Sequence, residues 1–181
     1  MSSLRHDPIT QLLHWIVAAA VVAAFVLGLI FEDLPRGDVK TGLQNLHFSL
    51  GVLVLTVTAI RLAWRPFAGV PPRIETSPLL DKAAKFAHLA LYLGLVAVPL
   101  VGMVIVWARG RGIDVFGLVT LPSPLAVNRP LAKTLEGVHE FGANALMFLA
   151  FAHALAAIGH QFVLKDGTLG RMLPFLTPTR T

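Results

Sequence analysis

The sequence predicts an all-α membrane protein, a bundle of four transmembrane helices, and three observations carry that prediction. Hydrophobic residues make up 55% of the 181-residue chain and charged residues only 14%, with a mean hydropathy of +0.72. That composition lies outside the usual range of soluble domains. Four apolar stretches, residues 12–31, 44–64, 84–107 and 135–162, each reach the ~20 residues that a helix needs to cross a bilayer. The segments between them are rich in Gly and Pro and too short for a second domain, so residues 1–181 read as one membrane domain.

The first run follows Arg5 and holds His14 one turn inside its start. Its apolar core is longer than that of a cleaved leader and Asp7 interrupts the positive flank, so it reads as a retained helix. Pro35 and Gly37 break the chain before the second run, which opens near His47 and closes on Arg61 and Trp64. Pro66, Pro71 and Pro72 mark the next connection, and His88 lies near the start of the third run. Glycines and prolines bracket residues 110–130. Within them residues 112–127 are partly apolar and are expected to lie along the membrane surface as a lid. The fourth run carries His139, His153 and His160. Trp15, Trp64 and Trp107, at run ends, read as interfacial anchors, and His6 reads as a solvated surface residue.

Lys and Arg set the expected orientation. Nine of them (Arg5, Arg61, Arg65, Arg73, Lys82, Lys85, Lys165, Arg171, Arg180) fall on the side of the termini, against six (Arg36, Lys40, Arg109, Arg111, Arg129, Lys133) on the other. Both termini are therefore expected in the cytoplasm, with the chain multi-pass in a bacterial inner membrane. The net charge of +5 and pI near 10.2 come from short basic pieces between apolar runs, not from a basic stripe, so no nucleic-acid partner is expected. With no cysteine, disulfides, thiolate metal sites and covalently attached c-type haem are excluded. Any metal is held by His, Met or oxygen.

Ionisable side chains inside a bilayer are costly and usually functional, which singles out four histidines. With the N-terminus inside, His14 lies near the inner face, His47 and His139 near the outer face, and His153 deeper along the fourth helix. The fourteen residues from His139 to His153 advance a helix by about 21 Å and return it to within about 40° of the same direction. Depth then pairs His47 with His139 in the outer leaflet and His14 with His153 in the inner leaflet. Two histidines on facing helices can ligate a haem iron from both sides, which leaves an electron-transfer centre with no open position. Small residues one turn on (Ala18, Gly51, Gly142, Ala143, Ala156, Ala157) suit a flat ring lying close to the backbone. Arg61, His88 and His160 are candidates for contact with a haem propionate or a quinone; the alternative for each is a place at the lipid headgroups.

Residues 10–15 (TQLLHW), 47–61 (HFSLGVLVLTVTAIR), 87–103 (AHLALYLGLVAVPLVGM) and 139–174, with HEFGAN, FAHALAAIGHQF and KDGTLGRMLP, cover nearly the whole chain. In these stretches the sequence resembles the bacterial cytochrome b561 family of four-helix, di-haem membrane proteins, and within it the superoxide oxidase type. The resemblance implies two haem b groups on the positions of His14, His47, His139 and His153. It also implies oxidation of superoxide outside the cytoplasm, with the electrons passed to ubiquinone. Six cations and six carboxylates (Glu32, Asp33, Asp38, Asp114, Glu136, Glu140) share the outer side, so steering of a small anion would have to be local. Two alternatives use the same residues. One is a passive electron-transfer cytochrome b subunit of a hydrogenase or dehydrogenase; the other is a small proton or metal transporter without haem.

Overall fold

The helices start where polar caps and prolines allow them to start. Asp7, Ser77 and Asn128 accept hydrogen bonds from the main-chain N–H groups of Thr10 (3.0 Å), Leu80 (3.4 Å) and Leu131 (3.0 Å), and a proline follows each in the first turn. Such caps satisfy amides that the first turn leaves unpaired, and proline there loses nothing. In the computed structural model, which describes residues 5–69, 71, 77–173 and 175–176, the result is α1 (Pro8–Asp33), α2 (Asp38–Trp64), α3 (Pro78–Ala108) and α4 (Arg129–Phe162). Pro72, Arg73, Pro174 and Arg180 lie outside the described residues. All four helices are long and apolar enough to cross a membrane. Each extends beyond its apolar run at its start; in α1, α3 and α4 the side-chain caps and not hydropathy set the first turn, whereas α2 begins after Gly37 without one.

α1 packs along α2 and α3 along α4, α2 joins the two pairs through α3, and α1 barely meets α4. A core of Val17, Ala20, Val54, Val57, Leu95 and Leu146 draws on all four helices. Many large apolar side chains point away from it, among them Val22, Leu29, Leu93, Leu100, Phe148 and Phe151. In water such a band would be a liability, whereas lipid tails solvate it.

Residues 112–127 are more ordered than a surface-lying lid. Ile113–Val115 (β1) and Val119–Leu121 (β2) pair antiparallel across a three-residue connection, whose turn, closed by Leu118 N on Val115 O, has Phe116 (φ 54°) and Gly117 (φ 71°) at its centre. Positive φ at both central residues is the twist that suits a tight hairpin. Buried Ser49 of α2 holds it: its hydroxyl accepts from Phe116 N (2.9 Å) and lies 3.0 Å from Asp114 O and 2.8 Å from Asn45 O.

The opposite end carries both termini, and the C-terminal segment closes over the start of α1. His6 N donates to Arg171 O (3.1 Å), Gln11 Nε2 to His6 O (2.9 Å) and Arg171 O (3.2 Å), and Trp15 Nε1 to Met172 O (2.9 Å). Trp64 Nε1 donates to the capping carboxylate of Asp7 (3.1 Å). Trp15 and Trp64 thus staple chain segments as well as sitting at helix ends. His6 is half-buried, which corrects its reading as a solvated residue; burial first, and then the charge of Arg171, hold its imidazole pKa below 6.5.

Candidate functional site

The histidines gather in two layers. Near the hairpin, the rings of His47 on α2 and His139 on α4 lie 6.1 Å apart, their planes at 75°. Near the termini, the rings of His14 on α1 and His153 on α4 lie 6.4 Å apart, their planes at 73°. A narrow, partly open apolar slot runs beside the first pair, lined by Ala24, Phe25, Gly51, Pro99, Ala143 and Met147 among others.

One device orients both rings of the hairpin layer. His47 Nδ1 lies 2.7 Å from Ala24 O, and His139 Nδ1 lies 3.0 Å from Val98 O. A carbonyl can only accept, so the ring proton belongs on Nδ1 and the lone pair on Nε2. Four residues after each of these carbonyls stands a glycine, Gly28 and Gly102. The missing side chain opens the turn for the imidazole. A Cβ at Gly28 would stand 3.6 Å from His47 Cε1, and one at Gly102 only 3.0 Å from His139 Cε1.

The same spacings repeat between the two halves. His14 precedes Gly28 by fourteen residues and His88 precedes Gly102 by fourteen; His47 precedes Arg61 by fourteen and His139 precedes His153 by fourteen. Contacts follow the repeat: Gly28 faces His47 and Gly102 faces His139, while Arg61 Nη1 lies 3.3 Å from His14 Nδ1 and the His88 ring 5.4 Å from that of His153. Val54, Leu95 and Leu146 of the core sit midway, seven residues from either layer. The halves α1–α2 and α3–α4 are thus built alike, except that α2 places Arg61 where α4 places His153.

Of the remaining candidates, Arg61 joins the termini layer and also lies over the Tyr92 ring at 5.8 Å, and His88 stands at its edge. His160 is directed elsewhere. Its Nδ1 bonds Asp166 Oδ2 at 2.5 Å, and Asp166 in turn accepts from Thr168 N (3.0 Å) and Thr168 Oγ1 (2.6 Å). Burial acts to raise the Asp166 pKa, but the hydrogen bonds from Thr168 and His160 outweigh it and hold the carboxyl below 3.8. Among the described residues no group of three or more His, Asp or Glu converges on a bare metal ion. The imidazoles come as facing pairs.

Those pairs fit a haem. Two imidazoles binding one metal from opposite sides, with metal–nitrogen bonds of about 2 Å, have ring centres about 6 Å apart. The observed separations are 6.1 and 6.4 Å. In the hairpin layer the Nδ1–H···O=C bonds also present Nε2 as the ligand atom, which is how ligating histidines are commonly oriented. Ala24, Gly28, Val98 and Gly102 were not singled out by motif. A main-chain acceptor leaves no residue signature, and glycine is common in these helices; the fourteen-residue spacing was the signal that could have found the two glycines.

Comparison with known proteins agrees with the fold. The family model described as prokaryotic cytochrome b561 matches residues 5–175. The probable superoxide oxidase CybB of Yersinia pestis is 34% identical over 163 residues, 90% of this chain and 92% of that protein. Cytochrome b561 homolog 2 of Escherichia coli K12 is 36% identical over 171 residues, 93% of this chain and 91% of its own. Cytochrome b562 of Cereibacter sphaeroides is 33% identical over 166 residues, covering 89% and 90%. These matches set aside the reading as a haem-free transporter and imply b-type haem. Four bilayer-length helices, the paired histidines and a match along residues 5–175 lead to one assignment: the chain belongs to the prokaryotic cytochrome b561 family of multi-pass membrane electron-transfer proteins.

Proposed function

We propose that this chain is a di-haem cytochrome of the bacterial inner membrane, with both termini cytoplasmic, that carries electrons from superoxide on the outer side to ubiquinone. The observation that carries the reading is the pair of histidine layers, with ring separations of 6.1 and 6.4 Å suited to axial ligation. His47 and His139 hold one haem b near the hairpin and His14 and His153 the other near the termini. Bound there, each haem would supply a reversible one-electron couple.

The protein's own part is to hold and orient. Ala24 O and Val98 O fix the hairpin-layer rings, and apolar side chains line the slot beside them. Superoxide needs no open coordination position to give up one electron, and two superoxide ions with one quinone and two protons give two dioxygen molecules and one quinol. A pocket at the hairpin end gathers Arg109, Arg129 and Lys133 around one carboxylate, Glu136, which Arg109 and Lys133 (3.3 Å) both engage. Lys133 and Glu136 precede His139 on α4 by about 9 Å and 5 Å of helix. This is a local positive patch of the kind that anion steering requires although the face as a whole sums to zero. The relative named a probable superoxide oxidase supports the same donor. At the other end Arg61 and His88 are the groups on hand for a propionate or a quinone headgroup, His160 being engaged by Asp166.

Absorption spectra of the purified protein before and after chemical reduction test the cofactor: sharp b-type bands at two haems per chain are expected, and their absence would sink the reading. Quinone reduction driven by superoxide, with a rate that falls as salt is raised, tests the donor. Intact haems without that activity would favour a passive electron-transfer subunit.

A further inference from the structure

We propose that Arg61 is a positioning residue that sets the order of the two redox potentials, making the site near the termini the more easily reduced. This rests on the di-haem reading above. The repeat brings the contrast out. In the hairpin layer both ligand rings donate Nδ1–H to a carbonyl, Ala24 O at 2.7 Å and Val98 O at 3.0 Å. Such bonds make the imidazole a stronger donor and favour the ferric state. In the termini layer, among the described residues, neither His14 nor His153 bonds a carbonyl, and a guanidinium stands 3.3 Å from His14 Nδ1.

A ferrous haem carries one positive charge fewer than a ferric one, so a fixed cation beside it favours reduction. The size of the effect depends on screening. Arg61 is half-buried within α2, whereas the cations at the hairpin end, Arg109, Arg111 and Lys133, are exposed to solvent, and Arg109 and Lys133 share the Glu136 carboxylate. The buried charge outweighs the exposed ones. One electron then leaves the hairpin-layer iron, oxidised from ferrous to ferric, and reduces the termini-layer iron from ferric to ferrous; no bond changes and no proton moves. The arrangement makes that transfer downhill from the outer side to the inner.

Spectroelectrochemical titration of the purified holoprotein tests this. The wild type is expected to show two steps. Arg61→Gln should lower only the higher one, shifting the sharing of an electron between the sites by about tenfold or more, and Arg61→Lys should restore most of it. Unmoved steps, or a shift of the lower step alone, would overturn the proposal. So would a rise of the higher step, which would mean that the guanidinium holds His14 deprotonated. Should Arg61→Gln lose haem, single-site variants decide: His139→Ala, keeping only the termini site, should titrate at the higher potential and His14→Ala at the lower, and the reverse order refutes the role. A protein without b-type bands would instead overturn the di-haem reading itself.

Discussion

At Gly102 a single absent methyl group decides whether His139 can reach Val98 O. An added Cβ would lie 3.0 Å from His139 Cε1 and 3.3 Å from its Nδ1, tighter than ordinary side-chain contact, so the ring must give by a few tenths of an ångström, away from its carbonyl. Gly102→Ala is therefore expected to cost about 1–3 kcal/mol by overpacking and to lower the haem-to-protein absorbance ratio toward one haem per chain. Gly28→Ala, with 3.6 Å to His47 Cε1, should keep both. Equal haem retention in the two variants would refute this account of the glycines. The four histidines were legible in the sequence because a titratable ring in an apolar run has few other reasons to be there. Their carbonyl partners were not, since every residue has a carbonyl and only the packing of α1 on α2 and α3 on α4 chooses among them.

Among the elements, the four helices were legible because bilayer thickness fixes their length, and the β1–β2 hairpin was not. Its strands are three residues each, too short for an alternating pattern to stand out, and Phe-Gly is not a strong turn signal. What holds the hairpin is Ser49, a residue indistinguishable in sequence from any small helix residue. Ser49→Ala would leave the Phe116 amide without its partner, at a cost of about 1–3 kcal/mol, and faster amide exchange at residues 113–121 than in the parent would reveal it. Unchanged exchange there would mean that the hairpin is held by other contacts. The closure over the termini responds to acid instead. At Asp7, as at Asp166, burial acts to raise the pKa and is outweighed by hydrogen bonds, here from Thr10 and Trp64, so both carboxyls stand below 3.8. A depressed folded-state pKa means stability that is complete above 3.8 and is lost as pH falls through the lower folded value. Protease cleavage at the termini should therefore rise as pH falls below about 6.5, where the depressed pKa of His6 begins to cost stability, and rise further below about 4, and Asp166→Asn should show that susceptibility already at neutral pH.

For the molecule as a whole, the pairing of the four histidines matters more than their number. Each histidine pair takes one ring from the α1–α2 half and one from the α3–α4 half: His47 with His139, and His14 with His153. Direct packing between the halves runs mainly through α2 and α3, since α1 scarcely touches α4. A haem held in either layer would bridge the halves where the helices do not. Anything that binds only the folded chain adds stability in proportion to the logarithm of its saturation, about 4 kcal/mol at a thousandfold excess over the dissociation constant. Haem-depleted protein in detergent is thus expected to melt well below the loaded form. His139→Ala and His14→Ala should each fall between the two, because each loses one bridge and keeps the other. The intermediate position is the informative part: were either variant as labile as the depleted protein, its substitution would have emptied both layers, and the separation by depth that pairs His47 with His139 and His14 with His153 would be wrong.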